Sequence, residues 1–210
     1  MVTKFCPNAG NANYVKPSKS GKVLVEVSAH HIHLSREHVE KLFGKGYELK
    51  VLKPLSQPGQ FACEERVTLI NGKNRMENVR ILGPERPQSQ VELAITDCLH
   101  LGLNDVPVRM SGDLKGTPGI KIEGPKGSVN LKEGVIIAAR HIHINPDEAK
   151  KLGIRNNQKI SVKVDSERST IFEKVIVRVS PKFSLAVHLD TDEGNAAEIN
   201  HFTKGKILKN

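Results

Sequence analysis

The chain has 210 residues, 38% of them hydrophobic, enough for one large domain or two small ones with a real core. It has no Trp, two Tyr and six Phe, so aliphatic side chains must fill that core. The formal charge of +9 favours anionic partners. However, the basic residues interleave with acids, form no basic arm and lack stacking aromatics, so anionic small molecules are expected rather than nucleic acid.

No apolar run approaches a membrane span, and the N-terminus lacks a signal-peptide core. The three cysteines, Cys6, Cys63 and Cys98, form no Cys-x-x-Cys pair or disulfide framework, which points to a reducing, cytoplasmic setting. Asn8, Gly10, Asn11, Pro17 and Gly21 interrupt any N-terminal helix, so residues 1–20 are expected to be a loose arm. Val and Ile recur in short alternating runs broken by Gly and Pro, which predicts mostly β structure with a few short helices.

The first strand, Val23–Val27, leads into Ser28-Ala29-His30-His31-Ile32-His33. In an extended strand residues i and i+2 face the same way, so His31 and His33 share a face with their bases about 7 Å apart. Ser35 is placed to cap a helix that Gly44 ends. A turn-rich loop, Pro54–Phe61, follows; it is either a connector or an active-site lid. Glu65–Ile70 and Asn78–Leu82 read as strands about the Asn71-Gly72 turn.

Beyond them, Pro84 and Pro87 restrict the backbone around Arg86, a guanidinium able to hold phosphate with two parallel hydrogen bonds. Glu92 lies in the next alternating run and could complete a metal site with two histidines. Val106–Met110 is a strand before the glycine-rich loop Ser111–Gly119, which can hold an anion but lacks the Lys-Ser/Thr ending of a P-loop.

Strands at Ile120–Ile122, Ser128–Leu131 and Gly134–Ala139 bring a second copy of the pattern, Ala139-Arg140-His141-Ile142-His143. Asn145-Pro146-Asp147-Glu148 then starts a helix that Gly153 ends. Gln158–Val164 and Ile171–Val179 alternate as a hairpin, and Ser184–Asp190 is a last strand carrying His188. A single His-x-His is a weak signal, but two copies in matching contexts point to metal. Neutral imidazole suits zinc, copper, iron or nickel. His30, His38, His100 and His201 have no usable partner spacing.

Taken in order over roughly residues 22–200, several pieces together resemble the phosphate propanoyltransferases (PduL-type phosphotransacylases). They are the first His-Ile-His, Leu55–Phe61, Gly83-Pro84 with Arg86, Gln90-Val91-Glu92, Ser111–Leu114, Ala138–His143, and His188 with Asp190–Glu193. The resemblance implies reversible transfer of an acetyl or propanoyl group between coenzyme A and phosphate. It implies a mainly β fold of two closed β-barrels interwoven in sequence, with short α-helices and a lid over the site between them. One barrel would take 21–29 and 139–208, the other 30–43 and 65–138, and the lid 44–64.

The resemblance also implies two zinc ions, one on His31, His33 and Glu92 and the other on His141, His143 and His188, with Arg86 binding phosphate. Coenzyme A contacts carry onto Ser28, Ala29, His30, Lys73, Arg80 and Asn195. The family usually has Arg or Asn-Arg before the first histidine pair, where this chain has Ala29-His30; Ala139-Arg140 keeps the basic residue in the second copy. A homodimer, and coupling to an acetate-type kinase that consumes the acyl phosphate, are family analogies. No encapsulation tail is visible, which favours a free cytoplasmic enzyme over the lumen of a bacterial microcompartment. Two other classes remain open: a dinuclear metal hydrolase using the same ligands, and a nucleic-acid binder motivated by charge alone.

Overall fold

The computed structural model describes residues 22–208; the expected arm at residues 1–20, and Cys6 within it, lie outside them. In chain order the elements are β1 (Lys22–Val27), β2 (His31–His33), α1 (Arg36–Phe43), β3 (Val51–Pro54), β4 (Phe61–Asn71), β5 (Asn74–Gly83), β6 (Gln90–Leu93), α2 (Ile95–Leu101), β7 (Val108–Arg109) and β8 (Ile120–Glu123). They continue with β9 (Ser128–Leu131), β10 (Val135–Ala138), β11 (His141–Ile144), α3 (Pro146–Leu152), β12 (Lys159–Val164), β13 (Thr170–Val179), β14 (Ala186–Leu189), α4 (Thr191–Ala196) and β15 (Lys204–Leu208).

The fold is mainly β, as expected, and its strands fall into two sets. Six close a barrel in the order β1-β14-β11-β13-β12-β15. The other nine form a sheet ordered β7-β10-β6-β2-β5-β4-β8-β9, with β3 pairing on β4. This second set is curled rather than closed. Its end strands β7 and β9 are short and unpaired with each other, and α1 packs beside β9, where Lys126 N–H donates to Leu42 O at 3.0 Å. Gly124 and Gly127 allow that approach: a Cβ on either would come within 2.8 Å of the α1 backbone.

Each set encloses its own aliphatic core. Val23, Val25, Ile142, Ile144, Val162, Val177 and Val187 fill the barrel, and Ile32, Leu42, Leu69, Val79, Ile81, Ile122 and Val135 fill the sheet. The alternation in the sequence is the cause: β12 buries Ile160, Val162 and Val164 and turns Lys159 and Lys163 outward.

Curvature comes from matching bulges. In β5 and β13, both ten residues long, the fifth residue has positive φ: Asn78 at 62° and Lys174 at 58°. Beside each, four residues of the bulged strand oppose three of its hairpin partner: Met76 to Val79 against Val67 to Leu69, and Phe172 to Val175 against Ile160 to Val162. Such an extra residue bends the strand and raises its twist.

The two His-x-His segments become β2 and β11, both interior strands. β2 lies between β5, parallel, and β6, antiparallel; β11 lies between β13, parallel, and β14, antiparallel. The helix starts fall as expected. Ser35 accepts from His38 N–H at 3.4 Å, and Asn145 accepts from Glu148 N–H at 2.9 Å with Pro146 in the first turn. Helices α2 and α4 and strand β15 were not anticipated. Ala94 gives α2 no side-chain cap, so the only polar signal is Asp97, which accepts from Ala94 N–H at 2.9 Å.

Candidate active site

Strand register brings the two metal-binding candidates together. His31 stands opposite Glu92 and His33 opposite Gln90 across β2 and β6. His141 stands opposite His188 across β11 and β14. In the first cluster, ligand atoms of His31, His33 and Glu92 all lie within 4.8 Å of one another; the same holds for His141, His143 and His188 in the second. Both clusters line one cavity of about 670 Å³, which also takes in Glu26, Ser111 and Arg178.

Hydrogen bonds to backbone carbonyls fix three of the rings. Nδ1 of His31 donates to Ala29 O at 2.8 Å, Nδ1 of His141 to Ala139 O at 2.9 Å, and Nδ1 of His33 to Leu82 O at 3.0 Å. A carbonyl only accepts, so each Nδ1 carries the proton and each Nε2 keeps its lone pair, the tautomer of a metal-ligating imidazole. His143 differs. Its buried Nδ1 has no hydrogen-bond partner among the described residues, and Arg178 Nη1 lies 3.4 Å from its Nε2.

Protonation favours ligation too. Burial, helped by the neighbouring imidazoles, pulls His33 and His188 down to about 3 and His143 down to about 2; burial also lowers His141. Burial works against charge on His31 as well, but the adjoining Glu92 outweighs it and raises that pKa. For Glu92 burial would raise the carboxyl, yet His31, His33 and Ser111 together hold it well below the usual carboxylate range. At neutral pH the two sets therefore offer the carboxylate of Glu92 and neutral imidazoles at His33, His141, His143 and His188, while His31 would give up its proton to a bound cation; this donor set fits zinc or a similar divalent ion.

Arg86 follows the cis Gly83-Pro84 bond, and its backbone N–H donates to Leu34 O at 2.9 Å. Its Nη1 donates to Ser111 Oγ at 2.9 Å, which sets the guanidinium beside the first cluster. Of the residues expected to contact coenzyme A, Ser28, Ala29, His30 and Arg80 line the cavity. Lys73 sits exposed at the tip of the β4–β5 hairpin, and Asn195 is exposed on α4; neither lines it.

Some cavity residues were not singled out individually in the sequence. Arg178 arrives opposite His143 through the β11–β13 pairing. Gln57, from the turn-rich loop, reaches the barrel: it donates to Ser184 O at 3.1 Å, accepts from Ser184 N–H at 3.2 Å, and lies 3.4 Å from His188 Nε2. Ser56 beside it donates to Glu26 at 2.6 Å. His201 also lines the cavity, whereas His38 pairs with Ser89 at 2.7 Å and His100 with Arg75 O at 3.0 Å. Cys63 and Cys98 are buried, and burial pushes their thiols up to about 12 and about 11, so neither is a ready nucleophile.

Known proteins align over nearly the whole chain. The family profile described as phosphate propanoyltransferase matches residues 24–200. A phosphate propanoyltransferase of Lachnoclostridium phytofermentans is 51% identical over 201 residues, covering 93% of this chain and 92% of its own. One of Thermotoga maritima is 50% identical over 201 residues, 95% of each chain. One of Enterococcus faecalis is 48% identical over 185 residues, 88% of this chain and 87% of its own. A match of this extent identifies the chain as a member of the phosphate propanoyltransferase family of enzymes.

Proposed function

We propose that this enzyme reversibly converts a short-chain acyl-CoA, acetyl or propanoyl, and phosphate into acyl phosphate and coenzyme A, with two zinc ions in the cavity. The observation that carries this reading is the convergence of two ligand clusters on one cavity that Arg178 also lines, with Arg86 held beside the first cluster through Ser111.

His31, His33 and Glu92 would hold one ion, and His141, His143 and His188 the other. When bound, the ions supply Lewis-acid polarisation of the thioester carbonyl and stabilisation of the departing thiolate. Arg86, braced by Ser111, binds and orients phosphate, and Arg178 adds a second positive charge at the cavity wall. Positioned this way, a phosphate oxygen attacks the thioester carbon, the C–O bond forms, the C–S bond breaks, and the sulfur leaves with the electron pair. No acyl-enzyme is needed, consistent with the inert buried thiols.

Ser28, Ala29, His30 and Arg80 would contact coenzyme A within the cavity. Lys73 and Asn195 would reach only its outer end. Residues 21–29 with 139–208, and 30–43 with 65–138, are read as the two lobes. Residues 44–64 are read as a lid, which Gln57 and Ser56 fasten to the barrel. No described helix is long and apolar enough to cross a membrane; we place the enzyme in the cytoplasm.

Thiol release from acetyl- and propanoyl-CoA, with and without phosphate, before and after metal stripping, tests the reading. Phosphate-dependent release restored by zinc is expected, and the faster substrate identifies the acyl preference. Release that ignores phosphate would make the enzyme a thioester hydrolase and overturn the proposal.

A further inference from the structure

On the β2–β6 face four side chains form a two-by-two block: His31 opposite Glu92, and His33 opposite Gln90. Three of the corners are candidate ligands. The fourth, Gln90, is an amide with 1% of its surface exposed. A buried amide is costly unless its groups are all paired.

Gly112 N–H donates to Gln90 Oε1 at 2.7 Å. A backbone N–H can only donate, which fixes the amide orientation and turns its NH₂ the other way. One N–H goes to Glu92 Oε1 and the other to Ser111 Oγ, at 2.8 Å for the latter. Ser111 in turn donates to the same Glu92 oxygen at 3.0 Å and accepts from Arg86 Nη1 at 2.9 Å. Both donors to Glu92 fall on Oε1, the oxygen that also lies 3.6 Å from His31 Nε2.

We infer that Gln90 is a positioning residue that sets the carboxylate of Glu92 and the phosphate-binding Arg86 at a fixed spacing, through Ser111 and Gly112. This rests on the reading of His31, His33 and Glu92 as metal ligands. The amide does not touch substrate. It holds in place the Glu92 oxygen that faces Nε2 of His31, and it holds the Ser111-Gly112 turn against which Arg86 is braced. The barrel cluster has no such residue: the corresponding corner, opposite His143, is Ala186. One amide thus ties the metal ligand of the sheet cluster to its anion-binding group, so changing it must move both metal affinity and phosphate use.

Gln90→Met keeps the length and removes all three hydrogen bonds. Gln90→Glu keeps the shape but cannot donate to Glu92 as an anion, and it carries the test should the methionine variant fail to fold. Metal-free wild type and variants are titrated with cobalt(II), read by absorption and stoichiometry, and the reloaded enzymes are assayed against phosphate. Wild type is expected to take two equivalents. In the variants one equivalent should weaken about 10–100-fold, the range seen when an outer-shell partner of a metal ligand is lost, while the other is unchanged. The KM for phosphate should rise by more than kcat falls. If both equivalents bind the variants as they bind wild type and the phosphate KM is unmoved, the inference is wrong. A wild type that takes up no cobalt overturns the metal reading itself and this inference with it, a result distinct from a defect confined to the variants.

Discussion

The segment from β2 to α2 and the segment from β11 to α4 follow the same path. Each runs through an interior His-x-His strand, a capped helix, a hairpin bulged at a positive-φ residue, a strand carrying the third candidate ligand and a short helix. Within this shared path the chemistry differs at three positions. The third candidate ligand is Glu92 in one and His188 in the other, and the fourth corner is Gln90 in one and Ala186 in the other. The residue before the histidines is His30, 3.2 Å from Asp97, or Arg140, 2.6 Å from Glu193. A carboxylate leaves a divalent ion one positive charge fewer than three neutral imidazoles do. The repeated backbone therefore presents two electrostatically unequal sites to one cavity, as a reaction with separate developing charges requires.

The largest expected effects come from the anion-binding groups. Arg86→Ala should lower phosphate-dependent turnover about 10²–10³-fold, by analogy with loss of one oxyanion-stabilising donor. Arg178→Ala tests whether the second segment shares that task. Saturation kinetics in phosphate measure both, and unchanged saturation in Arg86→Ala would remove it from the site. Next, Glu92→His makes the two clusters alike. It should keep two metal equivalents yet reduce thiol release by about 10–100-fold, because Gln90 and Ser111 lose their acceptor. Metal analysis beside the assay separates lost ligation from lost asymmetry.

Acid should weaken the metal-free protein. His33, His143 and His188 have native pKa values of about 3, about 2 and about 3, against an ordinary 6.5. Below about 6.5 the unfolded chain binds protons there that the native state does not, so stability falls as pH drops toward about 3. Each such histidine contributes a limiting slope of about 1.4 kcal/mol per pH unit. Urea unfolding across that range measures it, and His188→Gln should flatten the slope if the barrel cluster dominates. His31 acts oppositely, since its raised pKa adds stability on the acid side that fades as pH rises.

The smallest effect concerns the bulges. Lys174 occupies the left-handed conformation that Asn78 fills in the other hairpin. Asn tolerates that region better, so Lys174→Asn should stabilise by about 0.5–1 kcal/mol. For a chain of this size that is a rise of about 2–4 °C or less in Tm, readable by calorimetry.

Much of this duplication was legible in the sequence because it is local. His-Ile-His after a strand, Ser35 or Asn145 as cap, and the hydrophobic alternation all lie within a few residues of one another. Glu92 and His188 were visible as candidates, but their pairing with His31 and His141 is a matter of register between strands distant in the chain. Arg178 enters the same way, and no spacing rule reaches it; Gln57 and Gln90 lay in stretches already singled out, but their contacts are long-range. Helix α4 was hidden for a different reason: Thr191–Ala196 is short and includes Gly194, and its capping box of Asp190 and Glu193 stands before no apolar run.

Strand β1 has a consequence for synthesis. It emerges early, yet its partners are β14 and β15, with Val25 beside Val187 and Val23 beside Gly205. The barrel therefore cannot close on the ribosome until β15 has emerged. The nine-stranded sheet, complete once Leu131–Ala138 has emerged, can form first, leaving β1 as a tethered hydrophobic strand awaiting its neighbours. Stalled or truncated products that lack β15 would carry that strand unpaired on one side, making it the natural handle for a chaperone or a protease.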